Sequence, residues 1–114
     1  MENVYPFETE TARLAHEGTI LAAPMLPEDF PAPFGHAWGY LEHAGRMDKH
    51  VHPENQEMFT FYRGEGYMEL DDERVKVYPG VVVTVRPGVW HTVINESSEP
   101  LLWAAMWWKE IKKD

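Results

Sequence analysis

The chain of 114 residues contains no cysteine. That absence removes disulfides, thiolate metal ligands and a cysteine nucleophile at once, so any metal must be bound through imidazole and oxygen. Positive charge is scarce too: ten Lys and Arg stand against nineteen Asp and Glu, a formal net charge of −9. Such a balance repels phosphate backbones and anionic lipid, so neither nucleic acid nor a membrane surface is an expected partner. The single basic cluster, Lys109 with Lys112 and Lys113, is broken by acids and reads as a solubilising tail. No apolar run has the length needed to span a bilayer. The start, MENVYPFETE, is acidic and lacks the basic and then apolar order of a signal peptide, which makes a cytoplasmic location the expectation. There is also no G-x-S-x-G, phosphate loop or dinucleotide fingerprint, and no separate catalytic acid or base can be assigned.

What is present is a globular composition, 44% apolar and 13% aromatic, in a length that suits one domain with a real core. Residues 24–35 (PMLPEDFPAPFG) hold four of the nine prolines, so residues 1–35 read as a loosely structured arm ending in a loop. Within that arm the first half of TARLAHEGTILAA could make one helical turn, while Gly18 to Leu21 reads as a short strand. After Gly35 the punctuation is regular. Short segments rich in β-branched and aromatic residues (HAWGYLEH, EMFTFYR, YMEL, RVKVY, VVVTV, HTVIN, LLWAAMWW) alternate with Gly, Pro and Asp turns. No helical period runs through residues 36–108, and the spacing indicates an all-β sandwich or barrel, followed by a charged tail at 109–114.

Two-residue periodicity sharpens this reading around Gly64-Glu65-Gly66, taken as a hairpin turn. Glu57, Phe59 and Phe61 share one face of the first arm, and Met68 and Leu70 share one face of the second. If those apolar residues pack together, Glu57 lies on the inward face, where an unpaired carboxylate is costly and calls for a cation or strong donors. His50 and His52, two apart, project to one face of an extended segment. His91 opens a later strand after a Pro-Gly turn. Neutral imidazoles with one carboxylate suit Mn, Fe, Co, Ni, Cu or Zn better than calcium or magnesium. The rival carboxylate, Glu54, directly follows Pro53 in the connecting loop, where solvated acids are ordinary.

These residues resemble the two motifs of the cupin family. The first is matched by Gly45, His50-Val51-His52, Glu57 and Gly64, and the second by Gly80, Arg86-Pro87-Gly88, His91 and Asn95. The match departs from the usual pattern in a spacer one residue shorter before His50 and in Arg86 at the first proline. The motifs span residues 45–95, and the flanking strands extend the likeness to 36–108. The resemblance implies a double-stranded β-helix, or jelly-roll barrel. It also implies one divalent transition metal per chain (Fe, Mn, Ni, Zn, Co or Cu) held by His50, His52, Glu57 and His91. Cupins of this kind include dioxygenases, isomerases and decarboxylases acting on small polar or phenolic molecules. The implied function is therefore a metal-dependent enzyme with a small-molecule substrate; a non-catalytic binding or sensing domain is the alternative. Regulators of the latter type carry a helical DNA-binding domain, and no such segment is visible in this sequence.

Around the expected pocket, Phe59, Phe61 and Met68 are candidate walls. Arg86 is a candidate partner for a substrate carboxylate, and His36 and His43 are candidate contacts at the barrel mouth. His36 and His43 also have an ordinary reading as solvated strand ends, and Arg86 as a partner of surface acids. His16, in the ambiguous arm, carries no argument. The last segment, LLWAAMWW, is apolar on both faces, which suits burial between sheets or against a second subunit. Family precedent makes a homodimer the expectation, with coverage by the N-terminal arm as the other possibility.

Overall fold

Why these segments become strands is visible in their burial. In Asn55–Arg63 the residues Glu57, Phe59 and Phe61 are buried, while Met58 and Thr60 between them are only half-covered, the alternation of a strand with one face in a core. The computed structural model describes residues 3–111 and contains ten strands. In chain order they are β1 (Arg13–Ala15), β2 (Ile20–Ala23), β3 (Gly35–Leu41), β4 (Gly45–Arg46) and β5 (Asn55–Arg63). They continue as β6 (Gly66–Leu70), β7 (Glu73–Val77), β8 (Val82–Val85), β9 (His91–Asn95) and β10 (Leu101–Lys109). Among the described residues no helix is long and apolar enough to cross a membrane.

The strands form a six-stranded sheet, in the order β1-β2-β3-β10-β5-β8, and a four-stranded sheet, β4-β9-β6-β7. Every pairing is antiparallel. The non-sequential order is that of a jelly roll, the all-β double-stranded helix expected above. The core lies between the sheets. Phe59, Phe61, Leu101 and Trp103 of the larger one meet Met68, Val77 and Val93 of the smaller.

The expected hairpin at Gly64-Glu65-Gly66 does not form. β5 pairs with β10 and β8, whereas β6 pairs with β7 and β9 in the opposite sheet. The two segments face each other across the core instead of sharing hydrogen bonds, so the inward residues were correctly matched but their relation was not. The crossing is tight. A Cβ on Gly64 would come 2.2 Å from the Pro100 carbonyl oxygen, and one on Gly66 would come 2.3 Å from that of Ile94.

The N-terminal arm also differs from a loose segment with one helical turn. β1 and β2 pair as a hairpin, and β2 pairs onto β3 through Leu21 and Tyr40, extending the larger sheet. His16, Glu17 and Gly18 between them have φ of 51°, 60° and 78°, left-handed values that interrupt any right-handed helical turn. At the other end Lys109 closes β10, while Lys112 and Lys113 lie outside the described residues.

Candidate metal centre

Three of the candidate ligands are positioned by backbone bonds along one seam. His50 and His91 face each other as an isolated antiparallel bridge, with reciprocal N–H to carbonyl bonds of 3.0 and 2.9 Å. Met47 N–H donates to the Val93 carbonyl 2.8 Å away, which sets the register of the incoming segment against β9. Gly88, with φ of 83°, turns the chain so that its N–H donates to the His52 carbonyl at 2.9 Å. Glu57 arrives from the opposite sheet on the inner face of β5, beside Trp107 of β10. Asn95, the last residue of the second motif, is buried and plays a structural part. Its amide donates to the Leu41 and Glu99 carbonyls and its carbonyl oxygen accepts from Ser97 N–H, which pins the turn before β10.

Ligand atoms of His50, His52, Glu57 and His91 all lie within 4.8 Å of one another. Glu57 Oε1 is 3.2 Å from His91 Nε2 and 3.4 Å from His52 Nε2. At metal–ligand lengths near 2.1 Å, neighbouring donors stand about 3.0 Å apart in an octahedron and about 3.4 Å in a tetrahedron. The two Glu57 edges match that range.

The tautomers sharpen the fit. His91 Nδ1 lies 3.0 Å from the Val89 carbonyl and His50 Nδ1 lies 2.8 Å from that of Asp48. A carbonyl only accepts, so both Nδ1 atoms carry hydrogen, and in the neutral ring Nε2 is left with a lone pair. On His91 that lone pair faces a carboxylate oxygen on a residue 7% exposed, while His91 itself is 0% exposed. Two acceptors at 3.2 Å repel unless a proton or metal cation sits beside both. Burial also lowers the His50 pKa below the ordinary imidazole value, and the nearby His91, His16 and His52 act in the same direction against the Asp48 carbonyl. The neutral, metal-binding form is thereby favoured. The residues fit a divalent transition ion.

A cavity of about 60 Å³ adjoins the cluster, with His16, His50 and Glu57 at its polar end and Ile20, Met47, Phe59, Trp103 and Trp107 among its walls. Of the sequence candidates, Phe59 lines this space. Phe61 and Met68 are fully buried core residues and do not line it. His36 shares the outer face of β3 with Trp38 and Tyr40, opposite Met106, and its Nδ1 accepts the Met25 N–H at 3.0 Å. Parity of the pleat turns it away from the barrel interior. His43 is exposed beside Glu42, 3.8 Å away. Arg86 is exposed and lines a separate groove with Gln56, Met58, Thr84 and Trp108, to which Glu57 also contributes. Glu54 sits in the exposed loop, where its carbonyl accepts from Glu110 N–H at 3.2 Å. The sequence reading missed His16, whose ring centroid is 4.5 Å from that of His50. Burial lowers its pKa also, partly offset by Glu57 and Asp48.

A jelly-roll barrel with three imidazoles and a buried carboxylate gathered inside defines the class: a β-barrel protein with a histidine–glutamate cluster suited to a metal. The family model of the cupin domain matches residues 38–108, and the chain belongs to the cupin family. Among solved structures it is similar to a Cupin 2 conserved barrel domain protein from Salinispora arenicola CNS-205. That match has 25% identity over 94% of this chain and 88% of the other, with a TM-score of 0.82. Another similar structure is the plu4264 protein from Photorhabdus luminescens, at 22% identity, 96% and 90% coverage and a TM-score of 0.82. A Thermotoga maritima protein described as a predicted oxalate decarboxylase matches at 20% identity, 80% and 81% coverage and a TM-score of 0.72. No curated protein matches.

Proposed function

We propose that this cupin is a metal-dependent enzyme acting on a small polar organic molecule, with the ion held by His50, His52, Glu57 and His91. The observation that carries the reading is the buried Glu57 oxygen between two imidazole nitrogens at 3.2 and 3.4 Å, an arrangement that calls for a cation. A bound divalent transition metal supplies Lewis acidity or, if it is iron, manganese or copper, one-electron chemistry. Isomerase and dioxygenase types are both compatible with that supply.

The chain's own residues do the rest. The Asp48 and Val89 carbonyls hold the rings of His50 and His91 with Nε2 inward. The Glu57 carboxylate offsets cationic charge inside the barrel. Trp103, Trp107 and Phe59 keep the wall apolar, so that electrostatic contacts in the cavity are less screened than in water. The narrow cavity favours a small aliphatic acid or enediol over a phenol-sized ring. A homodimer in the cytoplasm remains our reading of the assembly. It is supported by the apolar groove where half-covered Met106 and Trp108 meet Phe34 and exposed Ile111.

The test is metal content of protein purified without a histidine tag. About one equivalent per chain is expected in the wild type, and none in a folded His50→Ala, His91→Ala double variant. Glu57→Gln makes the test sharper. Its amide donates to the facing Nε2, so the metal-free variant should be as stable as metal-free wild type or about 1 kcal/mol more so, yet gain no stability from added metal. Folded wild type that takes up no divalent metal would overturn the assignment. Oxygen uptake with small 2-oxo and 2-hydroxy acids then separates redox from Lewis-acid chemistry.

A further inference from the structure

The turn between β1 and β2 brings a fourth histidine to the cluster without making it a member. The His16 ring stands 4.5 Å from the His50 ring, centroid to centroid, at an interplanar angle of 35°. It is exposed on its outer side, it lines the same cavity as His50 and Glu57, and it is not among the four residues whose ligand atoms converge. Its place is therefore the mouth.

The backbone there is expensive. His16 and Glu17 both adopt left-handed φ, 51° and 60°, a conformation that costs roughly 1–2 kcal/mol for a residue with a Cβ. Strain of this kind persists only where the surroundings over-determine it. Here the surroundings are a chain of bonds leading to the candidate ligands. Thr19 donates from its N–H and its hydroxyl to the His16 carbonyl, at 3.1 and 2.6 Å. The same hydroxyl accepts the Asp48 N–H at 2.9 Å, and the Asp48 carbonyl holds His50 Nδ1. The position of His16 is thus tied to that of His50 through two residues.

The cavity lining supplies the ligand chemistry. No Lys or Arg is among the residues that line it, so an anionic ligand would meet positive charge only at the histidines and a bound metal. Space is short: at roughly 10–15 Å³ per water, the 60 Å³ hold about four to six waters. A compact organic anion fits these limits.

We propose that His16 is a ligand-binding residue: its imidazole N–H donates to an oxygen of a small carboxylate seated at the His50–His52–Glu57–His91 centre. The inference rests on the metal-site reading above and adds the residue that recognises the ligand from the mouth. Recognition here is a hydrogen bond, so a glutamine, which also offers N–H, substitutes for it and a phenylalanine does not.

The experiment titrates pyruvate, and acetate as a smaller probe, into cobalt-loaded protein and follows the visible cobalt bands. His16→Phe and His16→Ala should each weaken pyruvate binding about tenfold, as expected for one lost hydrogen bond in a water-poor site. His16→Gln should stay within about threefold of wild type, and cobalt affinity should be unchanged in all three. Thr19→Val, which keeps the imidazole and the backbone bond to His16 but removes the hydroxyl link to Asp48, should weaken pyruvate by an intermediate factor. Wild-type anion affinity in a cobalt-binding His16→Phe protein overturns this inference and leaves the metal centre standing. Cobalt affinity that falls in step in every His16 variant also overturns it, by making His16 a fifth ligand. Wild type that binds no cobalt overturns the metal-site reading and this inference with it.

Discussion

The barrel wall and the β1–β2 turn meet at one cavity, yet they are specified in opposite ways. In the wall, large and small residues alternate in strict register. Gly39 lies opposite Trp103 and Gly35 opposite Trp107, so each indole is laid over a glycine of β3. Pleat and packing agree along this pair of strands, and packing outweighs the poor strand propensity of the two glycines. The turn is the reverse case. Local preference opposes its left-handed His16 and Glu17, and a few hydrogen bonds, which Thr19 donates to the His16 carbonyl and accepts from the Asp48 N–H, hold it in place. Local pattern suffices where many residues share one face. Where one side chain must reach one spot, distant partners decide.

The largest expected effect comes from disturbing the wall. A Cβ at Gly39 would lie 2.2 Å from the Trp103 indole, and Trp103 is 1% exposed. Gly39→Ala should destabilise the metal-free protein by about 3 kcal/mol, read as a lower denaturant midpoint at unchanged slope. An unchanged midpoint would mean that the indole shifts freely, and the contrast drawn above would lose its rigid half.

A second effect ranks His50 of the wall against His16 of the turn. Burial lowers both pKa values from the ordinary 6.5. The native chain therefore binds fewer protons than the unfolded chain once the pH drops below about 6.5, and stability rises with pH in that window. With metal removed by a chelator, stability should be fully present above that value. It should decline as the pH falls through and below it, seen as a lower Tm. His50→Gln should flatten this slope more than His16→Gln, because His16 is the more exposed of the two and water screens it better. A steeper slope in the His50 variant would refute the ordering.

The same contrast explains what could be read in advance. Strand positions after Gly35 were legible because β-branched and aromatic residues repeat between Gly, Pro and Asp turns. The grouping of His50, His52, Glu57 and His91 followed from two spaced motifs and the inward parity of Glu57. The partners of β5 were not legible: burial parity says which side chains face the core, and both a hairpin and a sheet-to-sheet crossing satisfy it. His36 and Arg86 looked like pocket residues for their chemistry alone, and their strand parity or exposure turns them outward. His16 gave no local signal of its place beside the site, since its neighbouring ring, His50, is thirty-four positions away.

The smallest expected effect tests the turn by the opposite exchange. Gly39→Ala removes a glycine that the wall needs, whereas Glu17→Gly supplies one where φ is already 60°. Glycine relieves roughly 1–2 kcal/mol of left-handed strain and returns about 0.5–1 kcal/mol through the added freedom of the unfolded chain. The net is a gain of about 0.5 kcal/mol, too small for a confident shift in the global transition but large enough for hydrogen exchange. The reporter is the Asp48 amide, because its acceptor is the Thr19 hydroxyl of this same turn. Its exchange should slow about twofold in Glu17→Gly while amides in the centre of β5 and β10 stay unchanged. Faster exchange at Asp48 would show that Glu17 holds the turn through contacts of its own, and the strain would then be supported locally and not by the bonds that lead to His50.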